Sequence, residues 1–199
     1  LALESEVESR LVECQGRDWT LRHGPFTEED FLSLPEKDWT LLVQGVDLWV
    51  PEVQALLSQF AFLPPWRLDD VMVSFACPGG SVGPHFDQYD VFLLQVEGQR
   101  RWQIGGRCSS ETPMRDDSPL RILKEFEAEE EWLLDPGDML YLPPGVAHWG
   151  VAETECLTYS IGFRSPSIAD MLGDLSVELL TQGYDAHYRD PELTSAVAP

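Results

Sequence analysis

The period of the apolar positions changes from helical to extended near Trp66. Before it, Leu41, Leu42, Val46 and Trp49, then Val53, Leu56, Leu57 and Phe60, recur at helical spacing across residues 38–63. Pro51 fits the first turn of a second helix there. Residues 1–35 mix a short helical start with polar turns at Gln15-Gly16-Arg17-Asp18 and His23-Gly24-Pro25. From Trp66 onward, short runs of β-branched and aromatic residues alternate with Gly, Pro and Asp clusters, which predicts many short strands. The strands expected are Asp70–Ala76, Val91–Val96, Arg100–Ile104, Met139–Leu142 and Cys156–Phe163, with Glu97-Gly98-Gln99 as a hairpin turn. Residues 105–124 have no clean period and contain Pro113 and Pro119, a long surface loop. Ser167 is a predicted N-cap. The helix after it, to Leu180, carries Ile168, Met171, Leu172, Leu175 and Leu179 on one face, suited to packing on the strands or on a second chain. The expected organisation is an N-terminal helical or irregular segment over 1–65, a strand-rich domain over 66–164, and a C-terminal helix and linker over 165–199.

Composition narrows the function. At 199 residues the chain suits one substantial domain. Its 13 basic and 35 acidic residues leave a net charge of −22, which argues against direct nucleic-acid binding and favours a basic partner. No apolar run is long enough for a membrane span. Cys14, Cys77, Cys108 and Cys156 are far apart and form no CxxC pair, which suits reduced thiols and a cytoplasmic location. The opening LALESEVESRLV reads as the middle of something helical, so a trimmed N-terminus is expected.

The chemistry concentrates in two segments. In the first, running from Gly79 to Asp87, His85 and Asp87 are two positions apart and point to the same side of an extended chain. The second runs from Pro136 to His148. A third ligand from His148 closes one face of an octahedron and leaves three positions open, the arrangement of non-haem Fe(II) oxygenases. A 2-oxo acid takes two open positions and dioxygen the third. Zinc also accepts this ligand set, so a non-catalytic metal-binding module is an alternative. So is a pair of ordinary structural histidines. His23 and His187 lie in turn-like and tail segments and read as surface residues.

The spacing Gly79-x5-His85-x-Asp87 with Gly98, and Gly137-x5-Pro143-x-Gly145-x2-His148, resembles the two boxes of the cupin superfamily. Asp87 stands where many cupins have a second His, and Val91 where they have a metal-binding Glu, which converts a four-ligand site into a facial triad. Ala152 replaces a frequent Asn. Beyond the boxes, the run WRLDDVMVSFACPGGSVGPHFDQYDVFLLQVEGQRRW, the PGDMLYLPPGVAHWGVA segment and YSIGFRSP resemble the JmjC-type ribosomal oxygenases, above all the bacterial arginine hydroxylases that act on large-subunit ribosomal proteins.

This resemblance implies an all-β core with flanking helices, the double-stranded β-helix or jelly roll of cupin and JmjC proteins. It also implies Fe(II) held by His85, Asp87 and His148, with 2-oxoglutarate and O2 as co-substrates. The target would be an arginine, oxidised at its β-carbon. By the same resemblance Arg100 binds the distal carboxylate of 2-oxoglutarate, while Asp70 and Ser160 bind the substrate guanidinium. Tyr89 covers the substrate side chain or is a rim aromatic, Met72 packs along the arginine or fills the core, and Thr158 faces the co-substrate. A homodimer is implied as well. The family's first strands and a C-terminal winged-helix-like domain are expected to lie outside this chain. Related ribosomal oxygenases hydroxylate histidine and other JmjC proteins demethylate lysine, so those targets stay open.

Overall fold

Two antiparallel sheets face each other, and inward side chains from both line the space between them. The computed structural model describes residues 1–16, 18–164 and 166–188. The strands in chain order are β1 (Ser9–Gln15), β2 (Asp18–His23), β3 (Trp39–Val43), β4 (Leu68–Ala76) and β5 (Asp90–Glu97). They continue with β6 (Arg100–Arg107), β7 (Glu130–Leu134), β8 (Met139–Leu142), β9 (Val146–Ala152) and β10 (Cys156–Phe163). The larger sheet runs β2-β1-β3-β4-β10-β5-β8 and the smaller β7-β6-β9. This is the double-stranded β-helix.

The helical reading of residues 38–63 holds only for the later part. Trp39–Val43 is a strand, paired with β1 on one side and β4 on the other; Leu41 faces Leu11 in one partner and Phe75 in the other. A five-residue run apolar on both faces fits either period, and pairing on both edges selects the strand. The N-terminal start is likewise the hairpin β1–β2 rather than helix. Among the described residues α-helix is confined to α1 (Glu28–Leu32), α2 (Pro51–Leu56) and α3 (Ile168–Thr181), with short 3-10 turns at Val46–Leu48, Leu57–Phe60 and Pro65–Arg67. Thr27 and Asp30 form a capping box on α1, and Ser167 and Asp170 do the same on α3. The described residues from Pro166 to Tyr188 belong to a second unit, distinct from that of Leu1–Ser165.

Strand alternation sorts the side chains. Val71, Val73, Tyr159, Ile161 and Phe163 point outward from β4 and β10 into a core with Leu11, Val53 and Phe60. Phe92 and Leu94 of β5 join them, while Val91 and Leu93 turn inward to meet Trp102, Leu134 and Leu142. The inward faces of β4, β5 and β10 align in rows: Ser160 pairs with Met72 and Leu93, and Thr158 with Ser74 and Gln95. The β5–β6 hairpin turns at Gly98, where φ is +62° and a β-carbon would collide with the main-chain oxygen of Glu155, so only glycine fits. Fully buried Gln95 braces that turn by donating to the carbonyls of Glu97 at 2.7 Å and Gly98 at 3.2 Å.

Ile161 has no solvent exposure and sits among the aromatic rings of the outer core. Ile161→Ala is expected to destabilise the fold by about 2–5 kcal/mol. Urea unfolding checks this through a lower midpoint at unchanged slope.

Candidate metal centre

His85 and His148 are brought together by the backbone. The His85 N–H donates to the carbonyl of His148 at 3.0 Å, and the His148 N–H returns the bond at 2.8 Å. In such a hydrogen-bonded antiparallel pair the side chains stand next to each other. The imidazole centroids are 4.3 Å apart. Asp87 is two residues beyond His85 and turns to the same side, while Phe86 turns the other way into a cluster with Leu123 and Ala147. One ligand atom from each of His85, Asp87 and His148 lies within 4.8 Å of the others. Asp87 Oδ2 is 3.7 Å from His148 Nε2.

The ring nitrogens are sorted in the same way on both histidines. His85 Nδ1 lies 2.9 Å from the Gly83 carbonyl, and His148 Nδ1 lies 2.9 Å from that of Val146. A carbonyl only accepts, so each Nδ1 carries the proton and each Nε2 presents a lone pair. His148 is 3% exposed. Burial, with the neighbouring His85 adding to it, pulls its pKa down to about 3. Both effects keep the ring neutral, the form that binds a metal.

A cavity of about 310 Å³ opens on this trio. Its wall includes Asp70, Met72, Tyr89, Arg100 and Ser160. Arg100 is 6% exposed, and its Nη1 donates to Ser74 Oγ at 3.2 Å. Its Nε and Nη2 have no partner. Burial pulls the Arg100 pKa down, and the adjacent Cys156 opposes that to a smaller degree. A guanidinium stays charged even so, and a buried cation with unmet donors needs an anion. Its neighbour Arg101 points outward from β6 and pairs with Glu131 and Glu153 at 2.6 Å each.

Asp70 is half-buried, and one of its oxygens, Oδ2, accepts from Gln44 Nε2 and from the Gly45 N–H, both at 2.8 Å. Burial raises its pKa, and these two bonds oppose the rise. Tyr89 sits at the rim near Asp87; burial first, then the Asp87 charge, raise its phenol pKa and keep it protonated.

Eight of the nine residues singled out in the sequence reach this cavity. Thr158 does not. It lies one row deeper, and its hydroxyl donates to Gln95 Oε1 at 2.9 Å. Among the wall positions that sequence reasoning left without a role are Ser74, Gln44 and Gly162. Strand alternation from Asp70 and Ser160 points to Ser74 and Gly162. Nothing in the sequence signals Gln44, which approaches from the turn after β3.

The depressed His148 pKa has a consequence for stability. Between about pH 3 and its ordinary 6.5 the folded protein holds this ring neutral while the unfolded chain protonates it. The unfolded state then binds more protons, so this residue makes the metal-free fold lose stability as pH falls through that window. His148→Gln is expected to flatten the slope, as read from denaturant midpoints of metal-free protein across the same range.

Residues 55–171 match the family model of the JmjC domain. Over 195 residues the chain is 42% identical to a probable ribosomal oxygenase of Haemophilus influenzae, covering 97% of this chain and 48% of that protein. It is also 42% identical to the ribosomal protein uL16 3-hydroxylase of Escherichia coli, covering all of this chain and 53% of that one. The solved structure of the Escherichia coli ribosomal oxygenase YcfD in complex with cobalt and 2-oxoglutarate superposes with a TM-score of 0.81 at 42% identity, over 100% of this chain and 51% of that one. The chain thus spans about half the length of the relatives it matches. With its family model, its two-sheet fold and its full-length similarity in agreement, this chain belongs to the JmjC domain family.

Proposed function

We propose that this chain carries the active site of an Fe(II)- and 2-oxoglutarate-dependent oxygenase that hydroxylates the β-carbon of an arginine in a large-subunit ribosomal protein, with uL16 as the first candidate. The observation that carries the reading is one cavity shared by the His85–Asp87–His148 trio and the buried guanidinium of Arg100, two of whose nitrogens lack a hydrogen-bond partner. Two imidazoles and a carboxylate fit a divalent metal, and a set of three protein ligands leaves room for exogenous ones. Iron bound there would supply oxygen activation, drawing on oxidative decarboxylation of 2-oxoglutarate to succinate and carbon dioxide.

The chain's own residues have separable tasks. Arg100 holds a carboxylate through the two donors that have no protein partner, and Ser74 fixes its orientation from the third. Asp70 meets a cation at the opposite end of the cavity wall from Ser74, four residues along β4. Tyr89 donates its proton at the rim and stays protonated through neutral pH. Met72 and Ser160 are paired across β4 and β10 between those two ends, an apolar and a polar neighbour for a long side chain. The net charge of −22 favours approach of a basic protein.

Asp87→Ala is expected to lower iron affinity and turnover more than about 100-fold, measured by anaerobic Fe(II) titration and by succinate release. Arg100→Leu is expected to raise the 2-oxoglutarate requirement about 10- to 100-fold, the loss of a charge-assisted pair. Mass spectrometry of uL16 peptides tests the target itself. A single added oxygen on arginine is expected; addition on histidine, or loss of methyl from lysine, would replace the arginine assignment.

A further inference from the structure

Gly162 lies on the cavity wall in β10, opposite a break in strand register. Pairing of β10 with β4 runs regularly up to Ile161 against Val71, but Phe163 then faces Leu68. Two β4 residues, Asp69 and Asp70, therefore oppose the single Gly162, which is a β-bulge. Asp69 goes to Arg164 at 2.9 Å. Asp70 lines the cavity, with Oδ2 held by Gln44 and Gly45. Its other oxygen, Oδ1, faces the glycine.

The two common reasons for a glycine are missing here. The backbone does not adopt a positive φ at Gly162. Packing does not forbid a side chain either: a β-carbon would lie 3.8 Å from Asp70 Oδ1, 3.9 Å from the Asp70 main-chain oxygen and 3.9 Å from Tyr89 Cε2, all ordinary contacts. What the glycine leaves is room bounded by a carboxylate oxygen, a carbonyl oxygen and an aromatic ring at once. A glycine inside a strand marks a bulge or a close approach by a ligand; here the extra residue of the bulge is on β4, while Gly162 on β10 lines the cavity. Two acceptors and a ring edge suit a flat cation with several donors, and a guanidinium is that group. An ammonium has no need of a flat slot.

We propose that Gly162 determines specificity: its missing side chain opens the slot between Asp70 and Tyr89 that admits the guanidinium of the target arginine. This rests on the arginine reading above and adds the position that sets the width of the slot. A methyl group at 162 fills the slot while touching its walls at normal distance, so the fold tolerates what the substrate does not.

The test is Gly162→Ala in the full chain. Its thermal midpoint and its charge-transfer band with Fe(II) and 2-oxoglutarate are expected to match wild type. On protein loaded with Mn(II) and 2-oxoglutarate, calorimetric titration of an arginine-bearing uL16 peptide is expected to show at least about tenfold weaker binding, the scale of one misplaced methyl in a fitted pocket. Should the variant fold poorly, wild-type protein serves with a peptide whose target guanidinium carries two methyl groups, and the same weakening is expected. Equal binding of the peptide by variant and wild type, or of the methylated peptide by wild type, overturns the slot alone. Failure of wild type to bind and hydroxylate any arginine peptide overturns the arginine reading and the guanidinium with it.

Discussion

The reciprocal pair of backbone hydrogen bonds between His85 and His148 is the constraint on which the site depends. It joins two segments sixty-three residues apart in sequence and sets both imidazoles side by side before any metal arrives. The Nδ1 bonds to Gly83 and Val146 then fix ring orientation and leave both Nε2 atoms presented. Asp87 needs no device beyond the two-residue repeat of an extended chain. Three ligand atoms are thus placed by main-chain geometry rather than by each other, so their arrangement does not rely on the ion.

The cavity is graded along its depth because the strands are in register. The row at Ser74, Thr158 and Gln95 is polar and buried, and its Ser74 accepts from the guanidinium of Arg100. The row at Met72, Ser160 and Leu93 is mixed. Above it, the bulge in β4 presents Asp70. Opposite charges therefore occupy the two ends of one wall, separated by the intervening row. A carboxylate ligand and a cationic ligand sort themselves to different ends without direct competition.

Much of this was legible in the residues. The two-box spacing singled out all three members of the trio, and the family resemblance singled out Arg100, where alternation alone places one of Arg100 and Arg101 inward without saying which. The strands Met139–Leu142 and Cys156–Phe163 have the boundaries their periodicity gives. Strand β3 was hidden because Trp39-Thr40-Leu41-Leu42-Val43 satisfies helical and extended spacing equally well, and only its two partners decide. Strands β7 and β9 were hidden for different reasons: one is short and opens on two glutamates at the end of an acidic run, the other begins inside a turn-rich box. Gln44 was invisible because its role follows from where a turn docks in space. The part played by Gly162 depends on a register break that no local pattern records.

The Arg100-Arg101 pair carries a consequence for how β6 finds its place. One guanidinium is enclosed with open donors, while the other is clasped by two glutamates on the outside. Sliding the strand by a single residue toward the hairpin would carry Arg101 into the place of Arg100, an arginine for an arginine, while turning Trp102 out of the core. The dipeptide alone therefore does not discriminate against that alignment, and the buried indole beside it holds the register that two adjacent guanidinium groups leave open.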